Sequence, residues 1–152
     1  MPRNVMINLS IQIEDLFNGG ILDNLCEVKD DNGGSYPGGS NRGKPAEFTS
    51  KVYGANKVTW KFDFEGINSE FFRVIEAEII APNGPQIFSV YPLRSNGNNI
   101  SGKLNESIGQ DVEVKYDISF RVKRIQTHVE KTFIIDPKLK INPSPFVEEE
   151  HQ

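Results

Sequence analysis

Apolar and polar residues alternate with a period of two along much of this chain, and the longest such run is Asp111 to Arg124. Val112, Val114, Tyr116, Ile118, Phe120 and Val122 alternate there with Asp111, Glu113, Lys115, Asp117, Ser119, Arg121 and Lys123. Successive side chains of a strand face opposite ways, so this run predicts an apolar row on a core and a charged row in water. It is more than twice the usual strand length of ~5–6 residues. The expectation is therefore that it bends, carries a bulge or extends past its sheet.

A second alternating run opens the chain, with Val5, Ile7, Leu9, Ile11 and Ile13 set against Asn4, Met6, Asn8, Ser10 and Gln12. Its outer row is polar but uncharged, which suits either an interior strand or a strand that pairs between subunits, because exposed edges are normally guarded by charge. From Glu14 to Asp31 the pattern is mixed. The Asn18-Gly19-Gly20 triplet predicts a turn, followed by a short helix over 21–27. Residues 30–45, DDNGGSYPGGSNRGKP, read as a long loop, the best candidate for a binding surface.

Strand patterns then return in series. Phe48 to Tyr53 is weak, Val58 to Phe64 strong, and Phe71 to Ala81 contains two adjacent phenylalanines that must face opposite ways unless a bulge intervenes. Pro82-Asn83-Gly84-Pro85 predicts a turn, with Ile87 to Leu93 returning antiparallel. Ile100 to Leu104 follows, and the organising run takes Val129, Phe133 and Ile135 as its hairpin partner. Asp136-Pro137 separates that partner from a last short strand at Leu139 and Ile141. Eight or nine short strands without βαβ alternation predict an all-β fold, an antiparallel β-sandwich of broadly immunoglobulin-like form with at most one short helix. The expected organisation is one domain over 1–142 and a flexible acidic tail over 143–152.

Composition narrows the function classes. The chain has 152 residues, 17 basic and 21 acidic, for a net charge of −4. That balance disfavours nucleic acid, whose binders concentrate positive charge against phosphates. One local exception exists, since Lys115 to Lys140 holds seven basic residues against Asp117, Glu130 and Asp136. A lone cysteine, Cys26, cannot form an internal disulfide. The N-terminal run lacks a signal peptide's continuous apolar core, and no later run is long enough to span a bilayer. Cytoplasmic residence without membrane insertion is the expectation, with export by a route lacking a cleaved signal as the alternative.

Motifs that suggest chemistry fail on their neighbours. Gly38 to Lys44 has the spacing of a phosphate-binding loop, but Pro45 stands where that motif needs a hydroxyl for Mg²⁺. Asp30, Asp31 and Asn32 offer oxygen ligands for a weak calcium site, although position twelve counted from Asp30 is Asn41 rather than a bidentate Glu. His128, His151 and Cys26 lack zinc spacing, and His128 reads as an outward strand residue. Val58-Thr59-Trp60, after Gly54, resembles a stretch of cupredoxin-like sandwiches, yet no copper-ligand set of His and Cys accompanies it. No nucleophile elbow or metalloprotease motif occurs. The expectation is thus no enzyme and no cofactor.

The leading functional expectation is a non-catalytic interaction or structural subunit of a larger assembly, with a protein partner or self-association. The alternative is a carbohydrate-binding module using the 30–45 loop, where Tyr36 would stack on a sugar. Candidate contact residues for the first reading are Arg121 and Lys123 on the organising run. Phe146 of the tail would dock in a groove while Glu148, Glu149 and Glu150 meet the basic stretch, either within the chain or on a neighbour.

Overall fold

The computed structural model describes residues 3–31, 42–45, 48–65, 71–80, 87–89, 93–94 and 99–143. They form strands β1 (Val5–Gln12), β2 (Cys26–Asp30), β3 (Arg42–Gly43), β4 (Thr49–Val52), β5 (Lys57–Glu65) and β6 (Phe72–Ile80). Then follow β7 (Leu93–Arg94), β8 (Asn99–Lys103), β9 (Val112–Lys115), β10 (Asp117–Arg124), β11 (Glu130–Ile135) and β12 (Lys138–Ile141). Two short helices, α1 (Ile13–Phe17) and α2 (Leu22–Leu25), join β1 to β2. The all-β class holds, with two helices where the sequence predicts at most one.

Three open sheets result, ordered β3-β2-β1-β5-β8, β11-β10-β6-β7 and β4-β12-β9. They are mixed rather than purely antiparallel: β1 runs parallel to β5, and β12 parallel to β4. A parallel pair needs a crossover connection rather than a tight turn. The long stretches between β1 and β5 and between β4 and β12 supply these. β1 uses both of its edges, against β2 and β5. It is an interior strand, and pairing between subunits through it is excluded.

The organising run divides at Tyr116. Val112–Lys115 is β9 of the three-stranded sheet, and Asp117–Arg124 is β10 at the centre of the four-stranded one. Tyr116 itself is fully buried, so the inward row continues across the break. The expected bulge exists but lies on the neighbour: Arg121 faces Glu76 while Val122 faces Val74, which leaves Ile75 as the extra residue. The adjacent Phe71 and Phe72 divide between solvent and core, since Phe72 turns inward and Phe71 stays exposed.

One core receives all the inward rows, from Val5, Ile7, Leu9 and Ile11 of β1 to Leu139 and Ile141 of β12. Rings join the sheets across it. Trp60 of β5 lies 5.6 Å from Tyr116 and Phe64 lies 6.1 Å from Phe120, centroid to centroid. The Trp60 indole N–H donates to the Tyr116 hydroxyl at 2.9 Å, which satisfies a buried donor that would otherwise cost roughly 1–3 kcal/mol. α1 stops at the predicted triplet. Gly19 adopts φ 104, and a Cβ on Gly20 would lie 2.8 Å from the Asp15 carbonyl oxygen, so the turn needs both glycines. The pattern over 21–27 divides there between α2 and the alternating Cys26, Val28 and Asp30 of β2, which pairs with β1.

Candidate interaction surface

β10 and β11 form a hairpin in which Ile118 faces Ile135, Phe120 faces Phe133 and Lys123 faces Glu130. The Arg124 amide donates to the Val129 carbonyl at 2.8 Å. In an antiparallel pair, hydrogen-bonded and non-bonded positions alternate. Lys131, Phe133 and Ile135 therefore turn their backbone groups toward β10, while Glu130, Thr132 and Ile134 turn theirs outward. β11 is the end of its sheet, and among the described residues no strand pairs with that outward side. Its last four residues, Thr132 to Ile135, carry no charge, and Ile134 is 56% exposed with Val129 at 47% just before the strand.

The other sheet ends are better guarded. β3 and β7 have two residues each, and β4, β8 and β9 carry Lys51, Lys103, Glu113 and Lys115. Short or charged edges resist pairing with other chains. Among the described residues, β11 is the edge that lacks both devices over most of its length.

The two predicted contact residues of β10 lie on the outer face of this sheet, and Arg121 is already engaged. Arg121 sits between Glu76 of β6 and Thr132 of β11. Its Nε lies 3.4 Å from Oε1 of Glu130, an ion pair whose geometry falls short of a hydrogen bond. Lys123 lies between Arg73 and Glu130. Glu130 and Glu76 are the residues that sequence reasoning missed, because pairing partners of a strand become visible only with its register. The remainder of the basic stretch lies elsewhere. Arg124 and Lys131 stack on Phe17, and Lys131 donates to the Phe17 carbonyl at 2.7 Å. Lys115, Lys138 and Lys140 belong to the three-stranded sheet.

Asp30 and Asp31 lie in different surroundings. Asp30 is 2% exposed in the inward row of β2. Asp31, the next residue, takes the amide of Met6 on Oδ1 at 3.0 Å and the Arg3 guanidinium on Oδ2 at 3.1 Å, tying the start of β1 to the end of β2. Among the described residues no His, Cys, Asp and Glu group is disposed to hold a metal. Asn32, Tyr36, Phe146, Glu148, Glu149 and Glu150 lie outside the described residues. His128 is not a strand residue: it occupies the β10–β11 turn with φ 60, exposed to water.

Cys26 adjoins a cleft of about 380 Å³ that Ser10, Asp23, Glu27 and Lys44 also line. Its thiol is buried, and desolvation, with Asp23 and Glu27 adding to it, pushes its pKa up to about 12. At neutral pH it is a packed, protonated thiol rather than a nucleophile. No helix among the described residues is long and apolar enough to cross a membrane.

No protein-family model matches the sequence, and no curated protein does. The fold does have a counterpart among solved structures. It is similar to the inclusion body protein PixA from Burkholderia cenocepacia J2315, with a TM-score of 0.58 over 93% of this chain and 96% of that one. The two are 10% identical in sequence, so the likeness concerns the fold alone.

Proposed function

We propose that this chain is a non-catalytic β-sandwich, immunoglobulin-like in broad form, that serves as a structural subunit and associates with further copies of itself through β11. The observation that carries the reading is the outward row of backbone groups on Glu130, Thr132 and Ile134, beside the uncharged, exposed Ile134. An antiparallel partner strand from a second copy would satisfy those groups and bury Ile134 about a two-fold axis, giving the self-complementary contact of a closed dimer. The facing of Trp60 and Phe64 against Tyr116 and Phe120 supports the sandwich form. The likeness to a protein named for inclusion bodies supports an assembling role.

Light scattering on size-exclusion fractions tests this with the parent chain and Thr132→Pro. Proline removes one outward N–H without breaking a bond to β10, so the fold is expected to survive. The expected result is a multimeric parent and a monomeric variant with unchanged circular dichroism. A parent that stays monomeric at high concentration overturns the proposal. If a glycan array then lights up and loses signal in Tyr36→Ala, the carbohydrate-binding reading replaces it.

A further inference from the structure

The outer face of the three-stranded sheet is a second surface, built from different residues. Lys138 of β12 lies between Thr49 of β4 and Lys115 of β9, and Lys140 lies between Lys51 and Glu113. Leu139 and Ile141 point the other way into the core, so Lys138 and Lys140 share the solvent side. Lys140 Nζ has Asp111 Oδ1 at 3.9 Å. Lys115 and Lys138 face each other directly, and among the described residues neither has a carboxylate at ion-pair distance. Like charges opposite one another on a sheet repel, and an anion placed between them removes that cost.

The chain leaves this sheet at a fixed point and in a changed direction. Asn142 follows β12 with φ 53, a left-handed conformation that turns the backbone out of the strand line. It is held from several sides. Its amide donates to the Val52 carbonyl at 2.8 Å and its own carbonyl accepts the Asp111 amide at 2.9 Å. Its side-chain Oδ1 accepts the Gly54 amide at 2.8 Å, and Nδ2 donates to the carbonyls of Ile108 and Gly109 at 2.9 and 3.1 Å. Beyond Pro143 the sequence runs Ser-Pro-Phe-Val and then Glu148, Glu149 and Glu150.

Reach and charge agree. Glu148 is five residues past Pro143, within ~17 Å of it, and Glu150 is within ~24 Å. Lys138 is five residues before Pro143, about 17 Å back along the strand. A chain that reverses after Asn142 can therefore bring three consecutive carboxylates over the lysines. The Arg121 side of the molecule has no comparable need, because Glu130 and Glu76 already neighbour it.

We propose that the lysine face formed by Lys115, Lys138 and Lys140 is the docking site of the acidic segment Glu148, Glu149 and Glu150 of the same chain. The segment shields that face, leaving β11 as the edge open to other copies.

Zero-length carbodiimide cross-linking of the full chain, read by mass spectrometry, tests the pairing. Amide links are expected from Glu148, Glu149 or Glu150 to Lys115, Lys138 or Lys140. In an equal mixture of heavy-isotope and normal chains, each linked peptide pair should be wholly heavy or wholly light. The links should fade in Lys115→Gln/Lys138→Gln and in about 0.5 M salt, where the screening length falls to ~4 Å. Asp111–Lys140 linkage serves as the internal control. Detection of that control with no link from the three acids overturns the proposal, as do links that join heavy to light chains.

Discussion

Asn142→Ala is the substitution whose cost the structure specifies most fully. The side chain makes three hydrogen bonds, to the Gly54 amide and to the carbonyls of Ile108 and Gly109. Together they tie the end of β12 to the turn after β4 and to the segment before β9. Each contributes a net ~0.5–1.5 kcal/mol, with the solvent-facing Gly109 bond at the low end, so about 2–3 kcal/mol is lost with them. Alanine at φ 53 adds roughly 1 kcal/mol of backbone strain that asparagine tolerates better. The expected total is about 3–4 kcal/mol, read in urea as a midpoint shift of ~1.5–2 M at unchanged slope. Asn142→Asp separates the contributions. It keeps the acceptor for Gly54 but sets a carboxylate against two carbonyls. Two facing carbonyls hold that carboxyl above its unfolded value of ~3.9, so the deficit should shrink as pH falls toward ~4, where protonation restores a donor. A loss under ~1 kcal/mol for Asn142→Ala, or no pH dependence for Asn142→Asp, would refute the claim that this residue pins the chain's exit.

Other outcomes follow from the core and from the charged faces. Tyr116→Phe should cost about 1–3 kcal/mol by leaving the Trp60 indole N–H without its acceptor, with the fluorescence of the single tryptophan reporting the unfolding transition. Burial raises the pKa of both Cys26 and Tyr116, so the folded state holds those protons more tightly than the unfolded one. Stability should therefore be full below the unfolded thiol value of 9.0 and fall as pH rises toward about 12. Cys26→Ala should flatten the first part of that decline in denaturation curves collected across the range. Arg121→Ala should change stability by no more than ~1 kcal/mol, because its pair with Glu130 is partly exposed, and a larger loss would mean a structural role beyond that pair.

The fold's legibility in the sequence varied with how much each pattern depended on distant partners. Alternation located β1, β5 and β10 because burial of one face writes itself into every second residue. It could not show that β1 runs parallel to β5, since register and direction are set by neighbours the strand itself does not encode. Tyr116 is instructive: the apolar row passes through it unbroken, so the change of sheet leaves no mark on the alternation. β2 was hidden because Leu22 and Leu25 extend a helix-like spacing into Cys26 and Val28, and only pairing with β1 decides for strand. On the surface, Arg121 and Lys123 were legible as outward charges. Their partners Glu130 and Glu76 were not, and the grouping of Lys115 with Lys138 required the β9–β12 register.

The proposed assembling edge can be examined residue by residue through amide hydrogen exchange across β11 as protein concentration is raised. Lys131, Phe133 and Ile135, whose amides turn toward β10, should be protected at every concentration. The amides of Glu130, Thr132 and Ile134 should exchange freely in dilute solution and become protected as chains associate. Protection that arises at those three amides together with the multimer is the predicted result. Free exchange there in a solution already shown to be multimeric would place the contact elsewhere and contradict the account.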